Sequence, residues 1–137
     1  MHINLTSDYA IRCLLILADT GREMNSAEIA EEISVTRALT SNILRKLRIA
    51  GFVNSGRGVG GGYTLAKKPS EISLLDVLSV MEETMCISYC LDPEKGCSRH
   101  AEGTCPVRSF YVKLQEGLYQ SLGGMTLEKL LHPDEDK

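Results

Sequence analysis

Residues 36–66 read TRALTSNILRKLRIA, GFVNS, GRGVGGG and YTLA in succession, and the changes of pattern within this stretch decide the fold. From Thr36 to Ala50 the apolar residues Leu39, Ile43, Leu44 and Leu47 recur at helical spacing, and Arg37, Thr40, Ser41, Arg45 and Arg48 are placed on the other face. After Gly51 the period shortens. Phe52–Ser55 and Tyr63–Ala66 read as two short strands flanking a tip with five glycines among the seven residues 56–62. Those glycines permit positive φ and close approach of backbone to a partner, with Arg57 presented at the end of the loop. A basic helix followed by such a hairpin predicts a recognition helix beside a wing.

Upstream, Ala10, Cys13, Leu14 and Leu17 mark a first helix from about Ser7 to Thr20, with Thr6 as its expected cap and Gly21 as its stop. Cys13 falls on the buried stripe and reads as a small core residue. Asn25 with Glu28 three residues later starts a short second helix carrying Ala27, Ile29, Ala30 and Ile33, and Ser34-Val35 makes a tight turn into the third. Two helices joined by a short turn, the second basic on its outer side, form the helix-turn-helix arrangement.

Downstream, Ser73 and Asp76 open a fourth helix bearing Leu74, Val77, Leu78 and Met81, expected to end between Glu83 and Cys86. Ser88 to Pro106 has little periodicity and reads as a loop. Val107, Phe110, Tyr111, Leu114, Leu118 and Leu122 then form a long apolar stripe from about Pro106 to Leu122, with Gly123-Gly124 as the expected stop. A short helix over 126–131 and a disordered acidic tail complete the chain. The expected fold is mainly α, a winged helix-turn-helix with a two-stranded wing and a long C-terminal helix. Its parts are a DNA-binding domain over 1–83, a cysteine-rich loop over 84–106, a helical segment over 107–131 and the tail over 132–137.

The chain has 137 residues, enough for one domain with its own core, and its apolar content is mostly aliphatic with no Trp. The net charge of −3 conceals a segregation: residues 33–70 carry 7 basic and 0 acidic side chains, whereas 1–32 carry 2 and 6, and 71–137 carry 6 and 12. A carboxylate-free basic stretch inside an acidic protein is the footprint of a polyanion-binding surface. The N-terminus lacks the charged and apolar regions of a signal peptide, and no apolar run approaches the roughly 20 residues that span a bilayer. A soluble cytoplasmic protein with no membrane partner is therefore expected.

Five cysteines in a reducing compartment point to free, reactive or metal-binding thiols rather than disulfides. Cys90, Cys97 and Cys105, spaced x6 and x7, lie within one irregular segment of 16 residues that has no core of its own. Thiolates are soft ligands that suit zinc, copper(I) or iron-sulfur clusters, and the intervening Gly and Pro allow the sulfurs to converge. The spacing alone does not separate a cluster from zinc, for which His100 could complete a Cys3His set; Cys86 is a reserve ligand. An enzyme reading finds no Cys-x-x-Cys, no Ser/His/Asp set and only His2, His100 and His132. The glycine-rich tip lacks the Gly-Lys-Ser/Thr ending of a phosphate loop.

The wing SGRGVGGGYTLA (55–66), the following PSEISLLDV (69–77) and the three-cysteine loop together resemble the IscR and NsrR group of bacterial regulators, the Rrf-two family. The resemblance runs from Leu5 to Leu131. It implies a homodimeric transcription regulator on a double-stranded DNA operator, with the long helix after the cysteines as the dimer interface. It further implies an iron-sulfur cluster, four-iron four-sulfur favoured and two-iron two-sulfur possible, held by Cys90, Cys97 and Cys105, that senses nitric oxide, redox state or iron-sulfur status. Where IscR-like members have a ligating His, this chain has Arg108, which does not coordinate iron. Asp8 matches the ligand that NsrR-like members supply from the partner subunit, and is the preferred fourth ligand here. An acidic residue in a first helical turn also favours the helix dipole by about 0.3–1 kcal/mol with no metal present, and Arg12 one turn later is a natural partner for it.

By the same arrangement Thr36, Arg37, Thr40 and Ser41 are expected near base edges in the major groove, Arg45 on phosphate, and Arg57 in the adjacent minor groove. The competing readings are a zinc-bound repressor and a cluster-free repressor that senses thiol oxidation.

Overall fold

The computed structural model describes residues 2–56 and 61–136. Helix α1 (Leu5–Thr20) begins at Asn4, whose side-chain oxygen accepts the Ser7 amide at 2.9 Å, and ends at Gly21 in the left-handed region at φ 63°. The cap is thus Asn4 and not Thr6. Asn4 is extended, and its own amide donates to Glu82 Oε1 at 2.8 Å, so the helix start is fixed from 78 residues away. Helix α2 (Ser26–Ile33) is capped by Asn25, which accepts the Glu28 amide, and closes at Ser34, left-handed at φ 58°.

Helix α3 (Arg37–Ile49) starts at Thr36, whose hydroxyl accepts the Leu39 amide at 3.3 Å. Ile43, Leu44 and Leu47 are buried to 1 % exposure or less against α1 and α2. Strands β1 (Val53–Ser55) and β2 (Tyr63–Leu65) pair antiparallel, Val53 opposite Leu65 and Ser55 opposite Tyr63. Met24, between α1 and α2, extends this ribbon by one bridge: its amide donates to the Tyr63 carbonyl at 3.1 Å and its carbonyl accepts the Tyr63 amide at 2.7 Å. The wing base is therefore tied to the helix-turn-helix by backbone as well as by packing.

Helix α4 (Leu74–Met81) has the Ser73–Asp76 capping box that the sequence indicates. It stops at Met81, earlier than periodicity implies, because the chain turns extended at Glu82, the residue that holds Asn4. Helix α5 (Pro106–Gly124) continues through Gly123 and Gly124, past the stop that those glycines suggest. The chain after it is anchored instead: the Leu74 amide donates to the Met125 carbonyl at 2.8 Å and the Leu127 amide to the Ile72 carbonyl at 3.0 Å. Helix α6 (Leu127–Leu131) accordingly packs back on α1, with Leu127 fully buried in the common core, although the sequence groups it with α5. Pro133–Asp136 form a 3-10 turn where a disordered tail is expected, the fixed φ of Pro133 suiting its start.

The architecture is a mainly helical winged helix-turn-helix. Leu14, Ile29, Ile43, Leu44, Leu47, Ile72 and Leu127 form its centre. Helix α5 stands apart: Gln115 is its buried residue, and Val107, Phe110 and Leu114 are 51 %, 59 % and 48 % exposed. Among the described residues no helix is long and apolar enough to cross a membrane.

Ser7, wholly buried in α1, has a hydroxyl with no hydrogen-bond partner. A buried polar group left unpaired is costly, so Ser7→Ala is expected to hold or raise stability, by up to about 1 kcal/mol, in chemical denaturation. A clear loss of stability would show that the hydroxyl is satisfied in solution.

Candidate DNA-binding face and cysteine loop

On α3, Thr36, Arg37 and Arg45 are exposed and Ser41 is half-buried, and Asn42, Lys46 and Arg48 are also exposed. The first turn of α3 carries no carboxylate, so the partial positive charge of its N-terminus is not neutralised. Thr40 is placed differently from the expectation. It is fully buried, and its hydroxyl donates to the Thr36 carbonyl at 2.9 Å. Thr40, Ile43, Leu44 and Leu47 follow the i, i+3, i+4, i+7 spacing of the core stripe, so Thr40 belongs to the inner face and its hydroxyl is spent on its own helix. Arg57 lies outside the described residues.

The segment between α4 and α5 is built from hydrogen-bonded turns with cysteines at their junctions. Cys90 lies in a 3-10 turn over Tyr89–Leu91, its Sγ 3.3 Å from Ser88 Oγ. Asp92 organises the next turn: its carbonyl accepts the Lys95 and Gly96 amides, and its carboxylate accepts the Glu94 amide. Lys95 Nζ lies 4.4 Å from the centre of the Tyr89 ring, closing the stretch between Cys90 and Cys97. A second turn follows, with His100 left-handed at φ 50° and the Ala101 carbonyl accepting the Thr104 and Cys105 amides. Cys105 is the cap residue of α5.

Cys86, Cys90, Cys97 and Cys105 are free and half-buried, whereas Cys13 is buried in the core, as expected. The Ala101 backbone amide, donating to Cys97 Sγ at 3.5 Å, and then that of Arg99 hold the Cys97 thiol below its ordinary range, since donors favour the thiolate. Burial pushes the Cys13 thiol up to about 12.

Sequence reasoning misses the residue that moors this loop. Gln115, buried on α5, accepts the Ile87 amide at 2.8 Å and donates to the Met85 carbonyl at 2.9 Å, clamping the chain just before the cysteines. Nothing local distinguishes Gln115, because its partners are 28 and 30 residues away.

Asp8 lies in the first turn of α1 and pairs with Arg12 at 2.8 Å, the neighbour that spacing indicates. Both side chains are about half exposed, and such a pair contributes roughly 0.2–1 kcal/mol, too little to hold the carboxylate against a better partner. Arg108, half-buried in the first turn of α5, has an Nε with no hydrogen-bond partner. The donor set suits a thiolate-bound cluster in its chemistry: three free soft ligands on one moored loop. Among the described residues, however, no three His, Cys, Asp or Glu side chains of the single chain stand together as an ion site.

A basic-faced helix beside a tethered wing defines a DNA-binding transcription regulator. The family model for Rrf2, described as an iron-dependent transcriptional regulator, matches residues 3–133, and the chain belongs to that family. It is 30 % identical over 133 residues to protein rrf2 of Nitratidesulfovibrio vulgaris, covering 96 % of this chain and 87 % of that one. With the HTH-type transcriptional regulator IscR of Aliivibrio salmonicida it shares 30 % identity over 137 residues, covering 98 % and 80 %. Among solved structures, CymR, the global cysteine regulator of B. subtilis, superposes with a TM-score of 0.79 at 22 % identity, covering 95 % of each chain. T. potens IscR superposes at 0.75 and 22 % identity, covering 99 % and 90 %. The family is one of transcriptional regulators, and this chain is a regulator rather than an enzyme.

In the metal-free reduced protein, Cys86, Cys90, Cys97 and Cys105 are expected to react with iodoacetamide while Cys13 is spared until unfolding, as read by peptide mass spectrometry. The lowered Cys97 value means more thiolate at lower pH, so its rate should rise at a pH below the ordinary thiol range. Cys13 modified as fast as the loop thiols would contradict the core placement.

Proposed function

We propose that this regulator binds a two-fold DNA operator as a cytoplasmic homodimer and that Cys90, Cys97 and Cys105 ligate an iron-sulfur cluster completed by Asp8 of the partner subunit. The observation that carries the reading is the loop itself: three free, half-buried thiols at the junctions of turns in a segment without a core, moored to α5 by Gln115. A metal site rarely exists preformed in an unfolded segment, so ligation and the ordering of such a segment are coupled. A four-iron cluster is favoured and a two-iron cluster is the alternative. When bound, the cluster supplies iron that nitric oxide, oxygen or iron shortage attacks or removes.

The chain's own residues do the rest. Arg37 and Ser41 read base edges from α3, with Thr36 at its start, and Arg45 neutralises phosphate; Arg57 is assigned to the minor groove. The exposed stripe of Val107, Phe110 and Leu114 on α5 supports the dimer. Beside it, Ile3, Leu78, Met85, Leu118 and Leu122 line an apolar groove of about 370 Å³. Asp8 leaves its weak pairing with Arg12 to ligate. Because Gln115 ties the loop to α5, order in the loop bears on the dimer helix and so on the separation of the two α3 helices, which must meet half-sites about 34 Å apart.

A cluster-free thiol sensor is the second reading, favoured by the same four accessible cysteines. Anaerobic purification with iron and sulfide analysis and Mössbauer spectra separates the two. The wild type is expected to hold iron and sulfide, Cys90→Ala, Cys97→Ala and Cys105→Ala to lose both, and Asp8→Ala to keep a cluster with an altered spectrum or shed it faster. Zinc without sulfide, or no metal, would overturn the cluster, and an unchanged Asp8→Ala spectrum would remove Asp8.

A further inference from the structure

Two of the wing's glycines do something other than supply left-handed backbone. Gly56 and Gly62, which bracket the tip of the wing, are not among the positive-φ residues found in the described part of the chain, which are Gly21, Gly51, Gly96, Ser34 and His100. A Cβ built on Gly56 would lie 2.7 Å from Glu23 Oε1. On Gly62 it would lie 2.7 Å from the Met24 carbonyl oxygen and 2.8 Å from Glu23 Cγ. At Gly62 the Met24 backbone and the Glu23 side chain together fill the space a Cβ would need, and at Gly56 the Glu23 carboxylate alone does, so a side chain there would have to push the carboxylate aside.

Glu23 also makes a directed contact there. The Gly62 amide donates to Glu23 Oε1 at 2.9 Å, and the Gly62 carbonyl accepts the Gly56 amide at 2.6 Å, so one carboxylate oxygen serves the closing pair of the hairpin. Glu23 is held from behind. Its neighbour Met24 is buried and bridged to Tyr63, and Arg22 donates to the Glu23 carbonyl at 3.1 Å while pairing with Glu28 at 3.2 Å. A carboxylate beside a DNA-binding wing repels phosphate, so its presence next to the carboxylate-free basic segment calls for a compensating role.

We propose that Glu23 is a positioning residue for DNA recognition: its carboxylate fixes the Gly56–Gly62 base of the wing relative to α3, and thereby discriminates operator from other DNA. The role depends on the acceptor oxygen and on the space it fills, not on the negative charge. The effect should fall on specific binding, which needs the wing and α3 in register. Non-specific binding, governed by phosphate charge, should be spared or slightly strengthened.

The test uses the full-length protein, a duplex selected from a random library by the wild type, and a scrambled duplex of the same length at the same salt. Glu23→Ala should weaken binding to the selected duplex by about tenfold while leaving the scrambled duplex unchanged or bound more tightly, with an unaltered thermal midpoint. Glu23→Gln, which keeps an acceptor oxygen, should restore discrimination to within about twofold of wild type. Gly56→Ala should displace the carboxylate and reproduce the Glu23→Ala defect, and the double variant should be no worse than either single one. Equal discrimination by wild type and Glu23→Ala, a Glu23→Gln variant as defective as Glu23→Ala, or additive defects in the double variant would each overturn the assignment.

Discussion

Burial of Ile43, Leu44 and Leu47 against α1 and α2 is the constraint on which the rest of the molecule depends. Each such side chain contributes about 1.5–3 kcal/mol on leaving water, and together they fix how α3 is rotated about its own axis. That rotation sends Arg37 and Arg45 outward and draws Thr40 inward. It also seats Phe52 and Val53 in the same core, so β1 and the wing leave α3 in a set direction. The exposed basic side of α3, proposed to read DNA, is the remainder left after the core has been satisfied.

The cysteine loop obeys a different rule. It has no apolar core and relies on backbone turns, the Tyr89–Lys95 stack and the two hydrogen bonds of Gln115. Segments of this kind are held weakly and open at low cost, which suits the sensing role proposed for it. The firm winged domain and the weakly held loop meet where Glu82 ends α4 and receives the Asn4 amide, one turn before Asp8.

The sequence carries those features whose causes are local or periodic. The helices, the Ser73–Asp76 capping box and the two strands follow from spacing and cap chemistry, and the basic stretch over 33–70 foretells the exposed basic side of α3. Errors arise where two local choices are equally good or where a distant partner decides. Thr6 and Asn4 are both competent caps, and Glu82 is what favours Asn4. Thr40 carries a polar label but sits on the apolar stripe, a signal that strict counting of i, i+3, i+4 and i+7 would have caught. Gly123 and Gly124 resemble a stop, yet the backbone bond from Leu74 to Met125 determines where the chain turns. Gln115 and Glu23 act across 28 to 39 residues of sequence, which no periodicity reveals. The three loop cysteines stand out in the sequence as candidate ligands by their spacing, whereas the cluster proposed for them comes from family resemblance.

The central claim, that the state of the cysteine loop governs DNA binding, is tested most directly by one comparison. Operator affinity is measured at fixed salt on a single anaerobic preparation before and after its iron is removed by chelation. The two affinities are expected to differ by at least about tenfold, the scale of typical allosteric coupling, with the dimer intact in both states. Equal affinities, with iron and sulfide verified before chelation and absent after it, would contradict it.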